Sequence, residues 1–234
     1  MDIKVIAFDA DDTLWVNEPY FQETEKKFCA LLEDYLPVHT VAQELFRTEM
    51  QNLSLYGYGV KGFILSMVET ALRVSNKTVN IEIVEKAIQY GKELLAKPIE
   101  MLDGVEEVLQ SLSGRYKLVV ATKGDLLDQE RKLKKSGIEH YFHHTEIMSD
   151  KQEMDYAKLI RHLDINPAEF LMIGNSIKSD ILPVLAIGGR AVHVPYHITW
   201  AHEHVEPNIQ HPAFKQLQTI TEILSYLKDE PPIG

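Results

Sequence analysis

Cysteine is nearly missing from this chain. Cys29 is the only one, so no disulfide can form within the chain and no cysteine zinc site can be assembled. Long apolar runs are missing too: none approaches the roughly 20 residues a membrane helix needs. The first strand pattern starts by Ile3, which leaves no room for a secretory leader, and a cytoplasmic protein is expected. Basic residues are scarce: 24 Lys and Arg stand against 35 Asp and Glu, a net charge of -11. That balance argues against nucleic acid or an anionic membrane as the main partner. A small anionic substrate stays compatible, because a few lysines and a metal make one cleft locally positive. Repeats and low-complexity tracts are also lacking. The 234 residues suffice for one sizeable core with a smaller second domain.

What is present begins with VIAFDADDTLW, residues 5–15. Val5 to Phe8 read as a strand buried on both faces, as in a parallel sheet. Three carboxylates follow, Asp9, Asp11 and Asp12. Residues two apart on a strand share a face, so Asp9 and Asp11 are expected to point the same way. Like charges at the rim of an apolar core repel, and desolvation adds to the cost. Either they are solvated and incidental, or a cation sits between them.

Further strand patterns cover residues 116–122, 169–175 and 190–195, with a weaker one at 141–148. Helices lie between them. Asp103 reads as an N-cap, with Glu106 and Glu107 in the first turn and Gly114 as the stop. The next helix starts at Asp125 and ends in Lys132, Lys134 and Lys135 before Gly137. Strands separated by single helices predict βαβ units and a doubly wound parallel α/β sheet, Rossmann-like in plan. Residues 17–98 break the alternation. Phe28, Leu31, Leu32 and Tyr35 form one helical stripe; Phe63, Met67, Ala71 and Leu72 nearly form another; Val84, Ala87, Ile88 and Gly91 a third. The expected division is a core of residues 1–16 and 99–234 and an inserted helical domain of residues 17–98. Within the insertion, YGYGVKG (residues 56–62) is the most flexible-looking segment.

Ligands of open parallel sheets bind outside the carboxyl ends of the strands. Those ends carry Asp9, Asp11 and Thr13; Thr122, Lys123 and Gly124; and Gly174, Asn175 and Ser176, with Asp180 shortly after. Lys151 precedes the third of these strands. Hard oxygen ligands, a hydroxyl and a lysine suit Mg²⁺ and a phosphate, since Mg²⁺ prefers one or two carboxylates plus phosphate oxygens.

These residues resemble the haloacid dehalogenase-like hydrolases. DADDT matches the family's DxDxT first motif, Thr122 its second, Lys151 its third, and GNSIKSD resembles its GDxxxxD fourth. The resemblance spans about residues 3–195, and the helical insertion is similar to the family's cap of the first type. It implies a Mg²⁺-dependent phosphatase acting on a small phosphorylated metabolite, with Asp9 as nucleophile and Asp11 as general acid/base. It further implies Thr122 and Lys151 on the phosphoryl group, with Thr13 beside them. Mg²⁺ would be held by Asp9, the Asp11 carbonyl, Asn175 and Asp180. Within the same fold a phosphomutase is the alternative, and from another class a non-catalytic binding or regulatory relative. A haloalkanoic acid dehalogenase fits less well, because such relatives lack the acid at the Asp11 position.

Three features invite a plainer interpretation. Lys123 reads equally as a phosphate contact and as a solvated helix-entry lysine, and Trp15 as core packing. His143, His144, His202 and His204 lack the HExxH spacing of a helical metal site and read as surface or tail residues. Asn175 departs from the family, which usually has Asp there; an amide oxygen can still ligate Mg²⁺, without a full charge.

Overall fold

The computed structural model describes residues 3–205 and 209–228. The chain divides into two compact units, one of Met1–Glu18, Ile99–Lys123 and Gln129–Gly234, the other of Pro19–Pro98 with Gly124–Asp128.

The first unit is built on a six-stranded, wholly parallel sheet. Its strands are β1 (Val5–Phe8), β2 (Lys117–Lys123), β3 (His144–Met148), β4 (Phe170–Gly174), β5 (Arg190–His193) and β6 (Phe214–Gln216), in the order β3-β2-β1-β4-β5-β6. Alternation along the strands fills two cores. Ile6, Phe8, Leu118, Val120, Leu171 and Ile173 face one side, against Val105, Val108, Leu109 and Leu112. Val5, Ala7, Val119, Ala121, Phe170 and Met172 face the other, against Tyr156, Leu159 and Ile160. This is the doubly wound α/β plan, and burial on both faces explains the near-continuous apolar runs. The chain leaves β1 toward β2 and β3, then returns to its other side for β4. That reversal places the carboxyl ends of β1, β2 and β4 at the switch point where such sheets bind ligands.

The strand expectations hold for β1, β2, β4 and β5 to within a residue or two. The weak pattern at 141–148 becomes an edge strand only from His144, because Glu139–Tyr141 form a 3-10 turn. β6 was not foreseen; it has three residues, of which Lys215 and Gln216 are exposed.

The second unit holds four helices, with α1 (Glu18–Leu31) entering it from the core, then α2 (Val38–Tyr56), α3 (Val60–Val74) and α4 (Ile81–Ala96). Its core contains Phe28, Leu32, Leu45, Phe63, Met67, Ala71 and Ala87. One residue in each of two predicted stripes, Leu72 and Ile88, is exposed instead. YGYGVKG forms the α2–α3 turn, with Gly57 and Gly59 at positive φ. Gly91 lets α4 approach α3, since a Cβ there would lie 2.0 Å from Ile64.

Helix α5 (Val105–Leu112) is capped by Gly104 at φ 79°, with no side-chain bond, and not by Asp103. The start of α6 (Leu126–Ser136) agrees better with expectation, because Asp125 Oδ1 accepts the Asp128 amide at 3.1 Å. Helix α7 (Glu153–His162) leads into β4, and α8 (Leu182–Ala186) connects β4 to β5. Among the described residues no helix is long and apolar enough to cross a membrane.

Candidate active site

Strand β1 delivers Asp9 to the switch point. The Asp9 amide still pairs with the Ile173 carbonyl at 2.9 Å, continuing the β1–β4 ladder by one residue. The chain then folds back tightly, and the Ala10 carbonyl accepts the amides of Thr13, Leu14 and Trp15. Asp12 makes the turn at φ 61°, a left-handed conformation that aspartate tolerates better than most residues. This turn gives the three carboxylates three different surroundings.

Asp9 is buried and sits between Lys151, which donates to Oδ1, and Thr13, whose hydroxyl donates to Oδ2 at 3.1 Å. Asp12 caps the start of α1, accepting the Asn17 amide at 2.8 Å and the Glu18 amide at 2.9 Å. Burial pushes its carboxyl up to about 8, against the pull of the Asn17 amide. Asp11 accepts from Trp15 Nε1 at 2.7 Å, from Gln129 Nε2 at 2.8 Å and from Lys132 Nζ at 2.9 Å. The expectation that Asp9 and Asp11 share a strand face needs correcting. Strand β1 ends at Phe8, so alternation does not extend to Asp11, and the two carboxylates have separate partners.

Lys151 joins two ends of the site. Its side chain is 1% exposed, and it donates both to Asp9 and to Asp180 Oδ1, the latter at 2.7 Å. Burial alone would lower its pKa, but the charges of Asp180 and Asp9 outweigh burial and hold it above the ordinary lysine value. Burial pushes Asp9 the other way, up to about 7; Lys151 opposes the rise and Asp180 adds to it.

Asp180 is placed by the turn after β4. Ile177–Ile181 form one wide turn, with the Leu182 amide reaching back to the Ile177 carbonyl, a helix type frequent at functional sites. Asp180 Oδ2 accepts the Ser176 amide at 3.0 Å. Gly174 makes room for it, because a Cβ there would lie 2.2 Å from Asp180 Oδ2. Asn175 Oδ1 lies 3.4 Å from the Thr13 hydroxyl, which shares its one proton between that oxygen and Asp9 Oδ2, and the Asn175 carbonyl accepts His193 Nε2 at 3.0 Å. Thr122 is buried near the end of β2. Asp9, Thr13, Lys151, Asn175 and Asp180 are thus brought into one hydrogen-bonded network.

Lys123 is drawn elsewhere. Its ammonium donates to Glu203 Oε1 at 2.5 Å and to Ser179 Oγ at 2.8 Å. Glu203 was missed. It lies in a 3-10 turn, Ala201–Glu203, and also accepts the hydroxyls of Ser176 and Ser179 at 2.5 and 2.6 Å. Those bonds and Lys123 overcome burial and draw its carboxyl down to about 2. His204 is exposed and His202 half-buried, and the turn is tied down where Lys178 donates to the His202 carbonyl at 3.0 Å. Trp15 does pack in the core as expected, at 1% exposure, but its indole N–H also holds Asp11. Lys132 and Gln129 were missed as partners of Asp11, since the lysines of α6 were already explained by the helix dipole.

With Asp9 ionised, Asp9, Asp180 and Lys151 sum to one buried negative charge. Among the described residues no three His, Cys, Asp or Glu side chains form a metal-holding group. Two carboxylates and the Asn175 amide oxygen make an oxygen-only donor set with excess negative charge, which fits Mg²⁺ better than softer metals.

A doubly wound parallel sheet with carboxylates and a buried lysine gathered at its switch point is a Rossmann-like α/β core with a candidate active site where such sheets bind ligands. The chain belongs to the haloacid dehalogenase-like hydrolases, whose family model matches residues 3–188. It is similar to the glyceraldehyde 3-phosphate phosphatase of Methanopyrus kandleri, 26% identical over 76% of this chain and 78% of that protein. The glyceraldehyde 3-phosphate phosphatase of Methanothermobacter thermautotrophicus is 25% identical over 88% of this chain and 92% of that protein. Among solved structures, a haloacid dehalogenase-like family hydrolase from Xanthomonas campestris superposes with a TM-score of 0.87. It is 34% identical, and the match covers 97% of this chain and 91% of that one.

Proposed function

We propose that this hydrolase is a Mg²⁺-dependent phosphatase that cleaves a small phosphomonoester through an aspartyl-phosphate on Asp9. The observation that carries the reading is Lys151, buried and shared between Asp9 and Asp180, with Thr13 holding the other Asp9 oxygen. An ammonium so placed balances the nucleophile's charge and that of an arriving phosphate, while Thr13 fixes the carboxylate's orientation.

In the first step an Asp9 oxygen attacks phosphorus and the phosphorus–ester oxygen bond breaks. The leaving alkoxide takes its proton from the Asp11 carboxyl. In the second step a water oxygen attacks the same phosphorus and gives its proton to Asp11. The bond from phosphorus to Asp9 breaks, releasing inorganic phosphate and restoring both carboxyl groups. Thr122 hydrogen-bonds the phosphoryl oxygens, and Lys151 counters their charge throughout. Asp9, Asp180, Asn175 and the Asp11 carbonyl would hold Mg²⁺, which supplies Lewis-acid stabilisation of charge on the phosphoryl oxygens. The helical insertion, residues 17–98, serves as the cap that selects the ester.

The activity named for the Methanopyrus and Methanothermobacter relatives makes glyceraldehyde 3-phosphate the first physiological ester to try. The general test is phosphate release from p-nitrophenyl phosphate with Mg²⁺, with a chelator, and in Asp9→Asn. Turnover that needs Mg²⁺ and vanishes in Asp9→Asn is expected. Turnover indifferent to both would refute the reading.

A further inference from the structure

Asp11 is held far more tightly than its place in a turn requires. Its Oδ1 accepts Trp15 Nε1 at 2.7 Å and Lys132 Nζ at 2.9 Å. Its Oδ2 accepts Gln129 Nε2 at 2.8 Å and Lys132 Nζ at 3.1 Å. Three side chains make these four bonds, and because one Lys132 ammonium straddles both oxygens the carboxyl group keeps a site for a proton. Lys132 supplies two of the four and the only full charge, and it also donates to Asn17 Oδ1 at 2.8 Å. That third bond ties the turn after β1 to the start of α1.

Gln129 shows that the arrangement serves the carboxylate. It is buried, and its Oε1 has no partner among the described residues. A buried unpaired acceptor is destabilising. Turning the amide over would not remove that cost, because Oε1 would then face Asp11 Oδ2 and the Lys123 carbonyl, both acceptors. The amide is therefore held in the one orientation that presents N–H groups to Asp11.

We infer that Lys132, with Gln129 and Trp15, is a positioning residue that fixes the Asp11 carboxyl for proton transfer. The inference rests on the phosphatase reading proposed above. A free aspartate in a turn samples several rotamers, and only some bring its oxygens within reach of the ester oxygen or the attacking water. Holding it to one cuts the search. From α6, Lys132 combines that reach with the charge that keeps the carboxylate in place.

Two esters separate positioning from mere stabilisation of the fold. p-Nitrophenolate leaves without protonation, so its expulsion does not need Asp11 as an acid, whereas the alkoxide of glycerol 2-phosphate does. Hydrolysis of the phosphoenzyme needs Asp11 as a base with either ester. In Lys132→Met, kcat for glycerol 2-phosphate should fall about 100-fold, with KM changed by less than about threefold. With p-nitrophenyl phosphate the same variant should release a rapid burst of about one nitrophenolate per site and then turn over slowly. Lys132→Arg, which restores charge and two donors, should recover to within about tenfold of the parent. Gln129→Leu removes one of the four bonds to Asp11, along with the bond to the Lys123 carbonyl, and no charge; it should show the same split with a smaller loss if Lys132→Met does not fold. Equal losses on both esters without a burst, no loss, or faster turnover would overturn the inference while leaving the phosphatase reading intact. A folded parent that hydrolyses none of p-nitrophenyl phosphate, glycerol 2-phosphate and glyceraldehyde 3-phosphate would overturn both.

Discussion

Replacing Glu203 by glutamine removes one charge and keeps the shape of the side chain. In the parent, the carboxylate takes bonds from Lys123, Ser176 and Ser179 and is drawn down to about 2 from an unfolded value near 4.5. A shift of roughly 2.5 units corresponds to about 3 kcal/mol of stability at neutral pH. The folded value lies below the unfolded one, so this contribution is fully present above pH 4.5 and fades as the pH falls toward 2. Glutamine also leaves the Lys123 ammonium, only 16% exposed, without its counter-charge, which makes the loss larger where the pair is well shielded. Glu203→Gln should therefore destabilise the sheet unit by about 2–4 kcal/mol at pH 7. Urea unfolding followed by tryptophan fluorescence reads that unit alone, since the chain's 2 tryptophans, Trp15 and Trp200, both lie within it. The difference between parent and variant should shrink below pH 4.5. A variant within about 0.5 kcal/mol of the parent at pH 7, the range of ordinary surface changes, would refute the reasoning. So would a difference that does not vary with pH.

Asp9→Asn acts in the opposite sense, because burial raises the Asp9 carboxyl to about 7. Its contribution to stability is greatest below the unfolded value near 3.8 and is lost as pH rises through 7. With a chelator present, the variant should melt higher than the parent at pH 8 and match it near pH 4. Gly174→Ala would set a Cβ 2.2 Å from Asp180 Oδ2, so Asp180 must leave Lys151; a Mg²⁺ titration of activity should shift to much higher concentration. Gly91→Ala would set a Cβ 2.0 Å from Ile64 Cγ1. It should cost about 1–3 kcal/mol of helical-unit stability, measured by thermal melting, while phosphatase activity per folded molecule stays unchanged.

The sheet was legible where burial on both faces leaves only apolar residues, as in β1, β2 and β4. It was illegible at β6, where three residues carry too little periodicity to register. Asp9, Lys151 and Asp180 were legible because each stands at a strand end or helix start, and the fold brings such ends together. Asp11 was half legible: its position was found, but the turn at Asp12 detached it from strand alternation. Lys132 and Glu203 were hidden for different reasons. A lysine late in a helix is already accounted for by the dipole, so nothing marked Lys132 as a partner of a residue 121 positions away. Glu203 is buried only because residues 201–203 fold back onto Ser176 and Ser179, a non-local event without a local signature. Gly104 capping α5 in place of Asp103 shows the same limit on a smaller scale, where backbone φ and not the side chain sets the helix start.

The central claim is that phosphate passes through Asp9, and mass spectrometry of an acid-quenched reaction tests it most directly. The parent is mixed with Mg²⁺ and p-nitrophenyl phosphate, quenched during turnover, digested and searched for a phosphorylated peptide. One phosphoryl group on the peptide that begins the sheet, located at Asp9 and lost in Asp9→Asn, is the expected result. An actively hydrolysing parent whose label lies on another residue, or a label that persists in Asp9→Asn, would contradict the account.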